Sequence, residues 1–493
     1  MRLCETIFFC MRQFDLKIGV NQSGGFLINM KKLLPISFLL LATTLAAQNP
    51  VSKFINNDLL RNANISLSIT DLNSGKAVYE HRSHHSATPA STMKVITTAT
   101  ALELLGSDFR FATELLIDGI ITADGQLNGN LHIRGTGDPT LGSKHMGNLD
   151  FLNEWANTLI RAGIKSIDGK ILPDADFFDT EGINPYWIWE DMGNYYAPSI
   201  YGISYLDNTY ELVFQSEAVG STPKIIDMIP SIPNLVFDNH LKSTAIKRDS
   251  AYIYGAPRSR FRSIYGAIPT NQSRFTVKGD IPSPDSLLAA HFTEKLQEKG
   301  IKIAGNSRTV NGKKNIIHTH FSPPLHEIIT QINVRSNNHY AEQLFRYLGA
   351  NDKGIATSTM AAQRIKSFWQ QKGLSCKQLF MKDGCGLSPV NAVSANFFVE
   401  LLTYMQTKSK NADIFKASLP TAGINGTVAG LLKNTPLQGK VRAKSGSIAH
   451  VRAYTGYIDK DGKKYAFAVL VNNANGSSSQ VVKKIEELLL AVE

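Results

Sequence analysis

Three short stretches of this chain hold residue types that could carry nucleophilic chemistry. Ser91-Thr-Met-Lys94 sets a hydroxyl and an amine three residues apart at the start of an apolar helical run, "PASTMKVITTATALELLG" (89–106). On a helix such a pair shares one face, about 5–6 Å apart at Cβ. The serine would also sit at the positive helix end, where a developing anion is favoured. Taken alone, a capping serine followed by a surface lysine explains this stretch better. The chain holds its own control, Ser221-Thr-Pro-Lys224, in which Pro223 and the lack of a periodic apolar run argue against any helix.

The second stretch is Ser336-Asn-Asn338, at the junction of two helical patterns in "INVRSNNHYAEQLF". Ser394-Ala-Asn396 and Ser409-Lys-Asn411 fit the same spacing, but Ser394 reads as a plain helix cap and Ser409 lies in a polar linker. The third is Lys444-Ser445-Gly446-Ser447, inside an alternating strand. A lysine, two hydroxyls and a glycine on one strand suit capture of a carboxylate, with Gly446 letting backbone approach a ligand. An ordinary edge strand is the alternative.

The elements that must position these residues are legible in outline. Ile65, Leu67 and Ile69 alternate, Asn73-Ser74-Gly75 turns, and Ala77-Val78-Tyr79 returns, which predicts a hairpin. A helix is expected from Ser91 to Leu105, stopped by Gly106. At the other end, "KVRAKSGSIAHVRAYTGYIDKDGKKYAFAVLVNN" predicts three strands, followed by an amphipathic helix with Val481, Val482, Ile485, Leu488 and Leu489 on its apolar face. Neither terminal piece is a stable sheet alone, so a joint five-stranded antiparallel sheet covered by helices is expected. Residues from about 325 to 434 are helical in pattern, whereas about 110 to 310 is rich in short strands and turns.

In this order and these contexts, Ser-x-x-Lys on a helix, Ser-x-Asn between helices and Lys-Ser-Gly on a strand form the signature set of β-lactamases and penicillin-binding proteins. Ser91 and Ser336 are 245 residues apart, far more than a compact β-lactamase core needs. With "GTGDPTL" (135–141), "DGCGLS" (383–388), "LPTAGINGT" (419–427) and "RAKSGSIAHV" (442–451), the chain resembles the D-alanyl-D-alanine carboxypeptidase/endopeptidase family, the low-molecular-mass class C penicillin-binding proteins. It departs from that family at Cys385, where serine is usual, and at Ser445, where threonine is usual.

The resemblance implies an α+β fold: a β-lactamase/transpeptidase-like domain (48–109 plus 310–493) carrying an inserted β-rich region of one or two domains (110–309). It implies a serine-type D-Ala-D-Ala carboxypeptidase, with DD-endopeptidase as a second action, acting on peptidoglycan stem peptides and taking β-lactams as covalent inhibitors. By the same resemblance Ser91 is the nucleophile, Lys94 its base, Ser336 the proton relay and Asn338 a holder of Lys94 or substrate. Lys444, Ser445, Gly446 and Ser447 would bind the substrate carboxylate. No E-x-x-L-N stretch supplies the carboxylate that class A β-lactamases use for fast deacylation.

Composition bounds the rest. "MKKLLPISFLLLATTLAAQNP", from Met30, has the basic, apolar, small-residue order of a secretory signal. We therefore expect residues 1–29 to be a misassigned leader, 30–47 a signal peptide, and the protein to be exported and periplasmic without a stable membrane anchor. Residues 1–47 hold five basic and two acidic side chains, so a chain cleaved there keeps +8 of the +11 net charge. The cations form no run or stripe, which excludes a nucleic-acid footprint. Of the four cysteines only Cys376 and Cys385 lie beyond the signal, ruling out a disulfide-dense scaffold. The twelve histidines form no H-E-x-x-H, and His318-Thr-His320 lacks a third ligand nearby, so neither a metal nor a cofactor is expected.

Overall fold

Strands from the two ends of the chain pair into one sheet. The computed structural model describes residues 19–20, 26–27, 49–146, 148–306, 313–350 and 355–492. Asn64–Asp71 (β1) and Ala77–His81 (β2) form the expected hairpin, and Val441–Ile448 (β3), Val451–Lys460 (β4) and Lys463–Asn472 (β5) form the meander. The order is β3-β4-β5-β1-β2, antiparallel throughout. The long-range join sets Val469 opposite Leu67 and Phe467 opposite Ile69. β5 is buried without a break from Tyr465 to Asn472, the pattern of a strand covered on both faces.

Met93–Leu105 (α1) is the central helix. Every residue from Met93 to Leu102 is buried, so this helix has no solvent face. Its threonines remain satisfied because Thr98 and Thr100 donate to the carbonyls of Lys94 and Ile96, each at 2.7 Å. Leu325–Arg335 (α2) and Asn338–Leu348 (α3) pack against α1. Ala395–Thr407 (α4) covers β5 and β1, and Ser478–Leu490 (α5) packs on β4, burying Val481, Ile485, Leu488 and Leu489.

The strand-rich stretch between α1 and α2 begins and ends in an antiparallel pair, Ala112–Ile117 with Asn315–Phe321. That pairing joins Asn315–Phe321 to the first strand of this stretch. Its partner lies some 200 residues earlier in the chain, so no local pattern could report it. The insertion has its own core, in which Trp155 meets Phe151 and Phe292 edge to face at 4.9 and 5.4 Å.

Met1–Lys53 and Phe54–Glu493 are separate compact units. In the first, Gly19–Val20 pairs with Phe26–Leu27. The expected signal segment 30–47 lies outside the described residues. Among the described residues no helix is long and apolar enough to cross a membrane.

Candidate active site

The three stretches meet where α1, the α2–α3 junction and edge strand β3 converge. The helix does not begin at Ser91, as the sequence suggested: Ala90–Thr92 is a 3₁₀ turn, α1 starts at Met93, and Thr92 takes the capping position. Neither hydroxyl caps the helix; that of Thr92 turns back to the carbonyl of Pro89 at 2.7 Å. Ser91 Oγ is instead 3.0 Å from Lys94 Nζ. The capping reading of Ser91 therefore fails because a tighter turn precedes the helix and redirects its side chain.

Two glycines hold this turn. A Cβ on Gly446 would come within 2.4 Å of the Pro89 carbonyl oxygen and 3.2 Å of Ser91 N. Gly446 thus lets the backbone of the Pro89–Thr92 turn approach strand β3. On the other side Gly386 has φ +82°, and a Cβ there would lie 1.8 Å from the Ala90 carbonyl oxygen. Gly386→Ala is therefore expected to lower kcat/KM by about 100-fold, the scale of a misplacement near 1 Å. Gly373→Ala, with φ +88° in open space, carries the same backbone strain and should leave activity unchanged. Equal activity losses in the two variants would refute the wedging of the turn.

Lys94 is fully buried and touches three oxygens: Ser91 Oγ at 3.0 Å, Asn338 Oδ1 at 2.6 Å and the Cys385 carbonyl at 2.5 Å. Burial pushes its pKa down, opposed by the nearby Cys385, Asp383 and Glu342. Two of its three partners are carbonyl oxygens, which only accept; Ser91 alone can also donate. A neutral Lys94 thus gives its two N–H groups to Asn338 and Cys385 and turns its lone pair to the Ser91 hydroxyl. The contact at position 385 is made by backbone, so the cysteine found where the resembling family has serine leaves it intact.

Ser336, Asn337 and Asn338 occupy three distinct places in a helix–helix corner. Ser336 ends α2 in the left-handed conformation (φ 57°), Asn337 caps α3 by accepting from Tyr340 N, and Asn338 is its first residue. Asn338 Nδ2 donates to the Tyr196 carbonyl at 2.8 Å, which fixes Oδ1 toward Lys94. Ser336 Oγ accepts from Lys444 Nζ at 2.9 Å. Lys444 is fully buried and also donates to the Ser445 carbonyl at 2.8 Å. Burial, then the charge of Lys94, holds its pKa well below the ordinary lysine value. Ser445 donates to Thr427 Oγ1 at 2.7 Å, and Ser447 is exposed on the same edge strand. A cleft of about 500 Å³ opens beside Ser336 and Asn338, lined also by Lys144, Tyr195, Tyr196 and Arg335.

The control pair separates as expected. Ser221 donates to the Ala218 carbonyl and to Ser243, while Lys224 begins a strand. Ser394 caps α4 by accepting from Phe397 N.

The structure adds residues that the three motifs do not contain. Asp383 accepts from Gly386 N, Ser388 N, Asn391 Nδ2 and Trp187 Nε1, fixing the loop that delivers the Cys385 carbonyl. Glu342, one turn along α3 from Asn338, accepts from Gly384 N at 2.7 Å. "DGCGLS" and "LPTAGINGT" were visible as stretches, but the roles of Asp383, Gly386 and Thr427 in them depend on contacts across the fold. Glu342, Asp383 and Cys385 converge within 4.8 Å of one another. The four hydrogen bonds to Asp383, and a Cys385 thiol pushed well up by burial, make them poor cation ligands. Cys376 and Cys385 are both free and buried.

The model of the D-Ala-D-Ala carboxypeptidase 3 (S13) family matches residues 47–492. The chain is 27% identical over 464 residues to the D-alanyl-D-alanine carboxypeptidase DacB of Haemophilus influenzae, covering 90% of this chain and 94% of that protein. It is 25% identical over 457 residues to a D-alanyl-D-alanine carboxypeptidase of Actinomadura sp. (strain R39), covering 90% and 84%. The crystal structure of penicillin binding protein 4 from Haemophilus influenzae superposes with a TM-score of 0.76 at 25% identity, over 89% of this chain and 98% of that one. A structure of that protein complexed with a novel β-lactam gives 0.70 at 23% identity, over 90% and 98%.

Proposed function

The chain belongs to the D-Ala-D-Ala carboxypeptidase 3 (S13) family, and from that premise we propose how its residues perform the reaction. It is a serine-type D-Ala-D-Ala carboxypeptidase. Ser91 Oγ attacks the carbonyl of the D-Ala–D-Ala bond as its proton passes to Lys94. The leaving amine of the terminal D-alanine takes a proton through Ser336, and the acyl-enzyme on Ser91 is then hydrolysed by water, which restores the Ser91 hydroxyl. Lys444, Ser445 and Ser447 bind the terminal carboxylate, and the backbone N–H groups of Ser91 and Ser447 hold the developing oxyanion. The observation that carries this reading is the 3.0 Å contact of Ser91 Oγ with a fully buried lysine whose other two partners are carbonyls.

A lysine at its ordinary pKa is protonated at neutral pH, so the base role needs the lowered pKa that burial gives Lys94. Burial supplies that shift against the opposing pull of Cys385, Asp383 and Glu342. A stem peptide with an amine acceptor in place of its C-terminal residue extends the same chemistry to DD-endopeptidase action. The Haemophilus influenzae protein complexed with a β-lactam supports covalent capture of β-lactams at Ser91. We further propose that residues 30–47 are a cleaved signal, that the mature enzyme works in the periplasm, and that the catalytic domain is interrupted by the β-rich insertion.

Incubating the purified protein with a pentapeptide and with cross-linked muropeptides, then weighing the products, tests the reaction directly. Release of D-alanine from the pentapeptide is expected. Intact pentapeptide would leave only a wall-binding protein that keeps the fold, and a β-lactam adduct that turns over within seconds would favour a β-lactamase.

A further inference from the structure

The insertion carries an aromatic surface that the peptidase chemistry leaves unused. Its sheet is ordered Val236–Asn239, Phe261–Tyr265, Tyr252–Tyr254. Ile253, Arg262 and Ile264 point inward and are buried, so the alternation sends Tyr252, Tyr254, Phe261, Ser263 and Tyr265 outward. Trp189 joins them from the preceding segment, its ring 5.9 Å from that of Tyr254 at 6° between planes. Tyr252 and Tyr254 are nearly parallel at 6.3 Å and 13°, and His240 stacks on Tyr265 at 4.8 Å and 14°. Trp189 is 64% and Phe261 72% exposed.

The surface is a notch and not a flat patch. Ser263 lies opposite Tyr254 in register, and with Gly255 and Ala256 it makes a floor of small residues between Trp189, Phe261 and Tyr265. The recess is open to solvent and measures about 650 Å³. Tyr254 and Tyr265 line it with their hydroxyls, and beside these rings stand the Asp238–His240 pair at 2.8 Å, with His240 stacked on Tyr265, and Glu190, which accepts from Tyr252. Ring planes alternating with polar tips match a pyranose, with its C–H face and its hydroxyl and acetamido edge, better than a protein surface, which would present aliphatic knobs.

The notch is joined to the catalytic cleft by one short segment fixed at both ends. Trp187 Nε1 donates to Asp383 at 2.9 Å, and Trp189 walls the notch. Asn194 Oδ1 accepts from Ile253 N at 3.0 Å, tying the segment to the aromatic sheet. Tyr196 then accepts from Asn338 at its carbonyl, and Tyr195 and Tyr196 line the cleft. We propose that this notch binds the glycan strand of peptidoglycan, a chain of N-acetylated aminosugars stacked against Trp189, Tyr254 and Phe261. The stem peptide borne by that strand reaches Ser336 and Ser91 along the 189–196 segment. The proposal rests on the carboxypeptidase reading, which supplies a substrate carried on such a strand.

The test uses the full chain and peptide-free glycan strands, with binding followed by calorimetry. Saturable binding is expected for the unmodified protein. Tyr254→Ala and Phe261→Ala should each weaken it roughly tenfold, the scale of losing one aromatic stacking partner. D-alanine release from a free pentapeptide should stay within about twofold of the unmodified enzyme in both variants. Should Tyr254→Ala misfold, Phe261→Ala decides alone, since that ring is mostly solvent-exposed. Absence of saturable binding, or variants that bind as tightly as the unmodified protein, overturns the glycan site while pentapeptide cleavage stands. Glycan binding without any D-alanine release would instead overturn the peptidase reading and leave the notch as a wall-binding site.

Discussion

Ser91→Ala is expected to abolish covalent labelling by a fluorescent penicillin and to lower D-alanine release by at least ~10⁴-fold, as loss of a serine nucleophile does elsewhere. The argument is geometric before it is chemical. Ser91 Oγ is the one partner of Lys94 that can give up a proton, and the turn holding it is wedged between Gly446 and Gly386. Lys94→Met should be nearly as inactive although Ser91 is untouched, because the hydroxyl then faces a thioether that accepts no proton. The methionine fills similar space without a buried charge, so the variant should fold. Persistent stoichiometric labelling of Ser91→Ala would remove Ser91 from the mechanism. Full labelling of Lys94→Met would remove the lysine and leave the serine.

How far these residues could be read from sequence depends on what each one needed. Ser91, Lys94, Ser336, Asn338 and Lys444 were legible because each falls at an element boundary or on a strand that local periodicity reveals; in the structure Lys94 bonds Ser91 and Asn338, and Lys444 bonds Ser336. The five-stranded sheet was legible because two marginal pieces needed each other. What escaped was set by contacts across the fold. Ser91 looked like a cap because the pattern of an apolar helix cannot show that a 3₁₀ turn precedes it. The contact of Gly446 with Pro89 has no sequence signal because only the fold brings the two together. Asp383 and Thr427 act on loops whose partners lie on other elements, and Glu342 reads in sequence as one more polar residue on an otherwise buried helix face.

Glu342 leads to the second large effect, a pH-dependent stability set next to Lys94. The side chain is fully buried, and Oε2 accepts from Gly384 N at 2.7 Å. It faces Asp383 and Gly384 N from the loop, Arg346 from its own helix and Asn184 from the insertion. Burial first, then Asp383, raises its pKa to about 8, against the opposing pull of Arg346. The folded protein therefore keeps a proton that the unfolded chain releases near pH 4.5. A raised carboxyl pKa means that its contribution to stability is whole below about pH 4.5 and is lost progressively until the pH passes about 8. The loss has an upper bound on the order of 5 kcal/mol, one pKa unit being about 1.4 kcal/mol. Lys94 and Lys444, with lowered values, act with the opposite sign: the unfolded chain binds their protons more tightly, so their burden eases as pH rises toward about 10.4. Glu342→Gln keeps the acceptor for Gly384 N and cannot ionise, so it separates the two. Urea unfolding at pH 5 and at pH 9 should show the variant gaining on the unmodified protein by several kcal/mol at the higher pH. Activity reports the same proton, because an ionised Glu342 favours a charged Lys94, and the variant should keep kcat/KM above pH 8 where the unmodified enzyme loses it. Stability curves that run parallel across this range would mean that Glu342 carries no proton at neutral pH, and the neighbourhood of Lys94 would then be more anionic than burial implies.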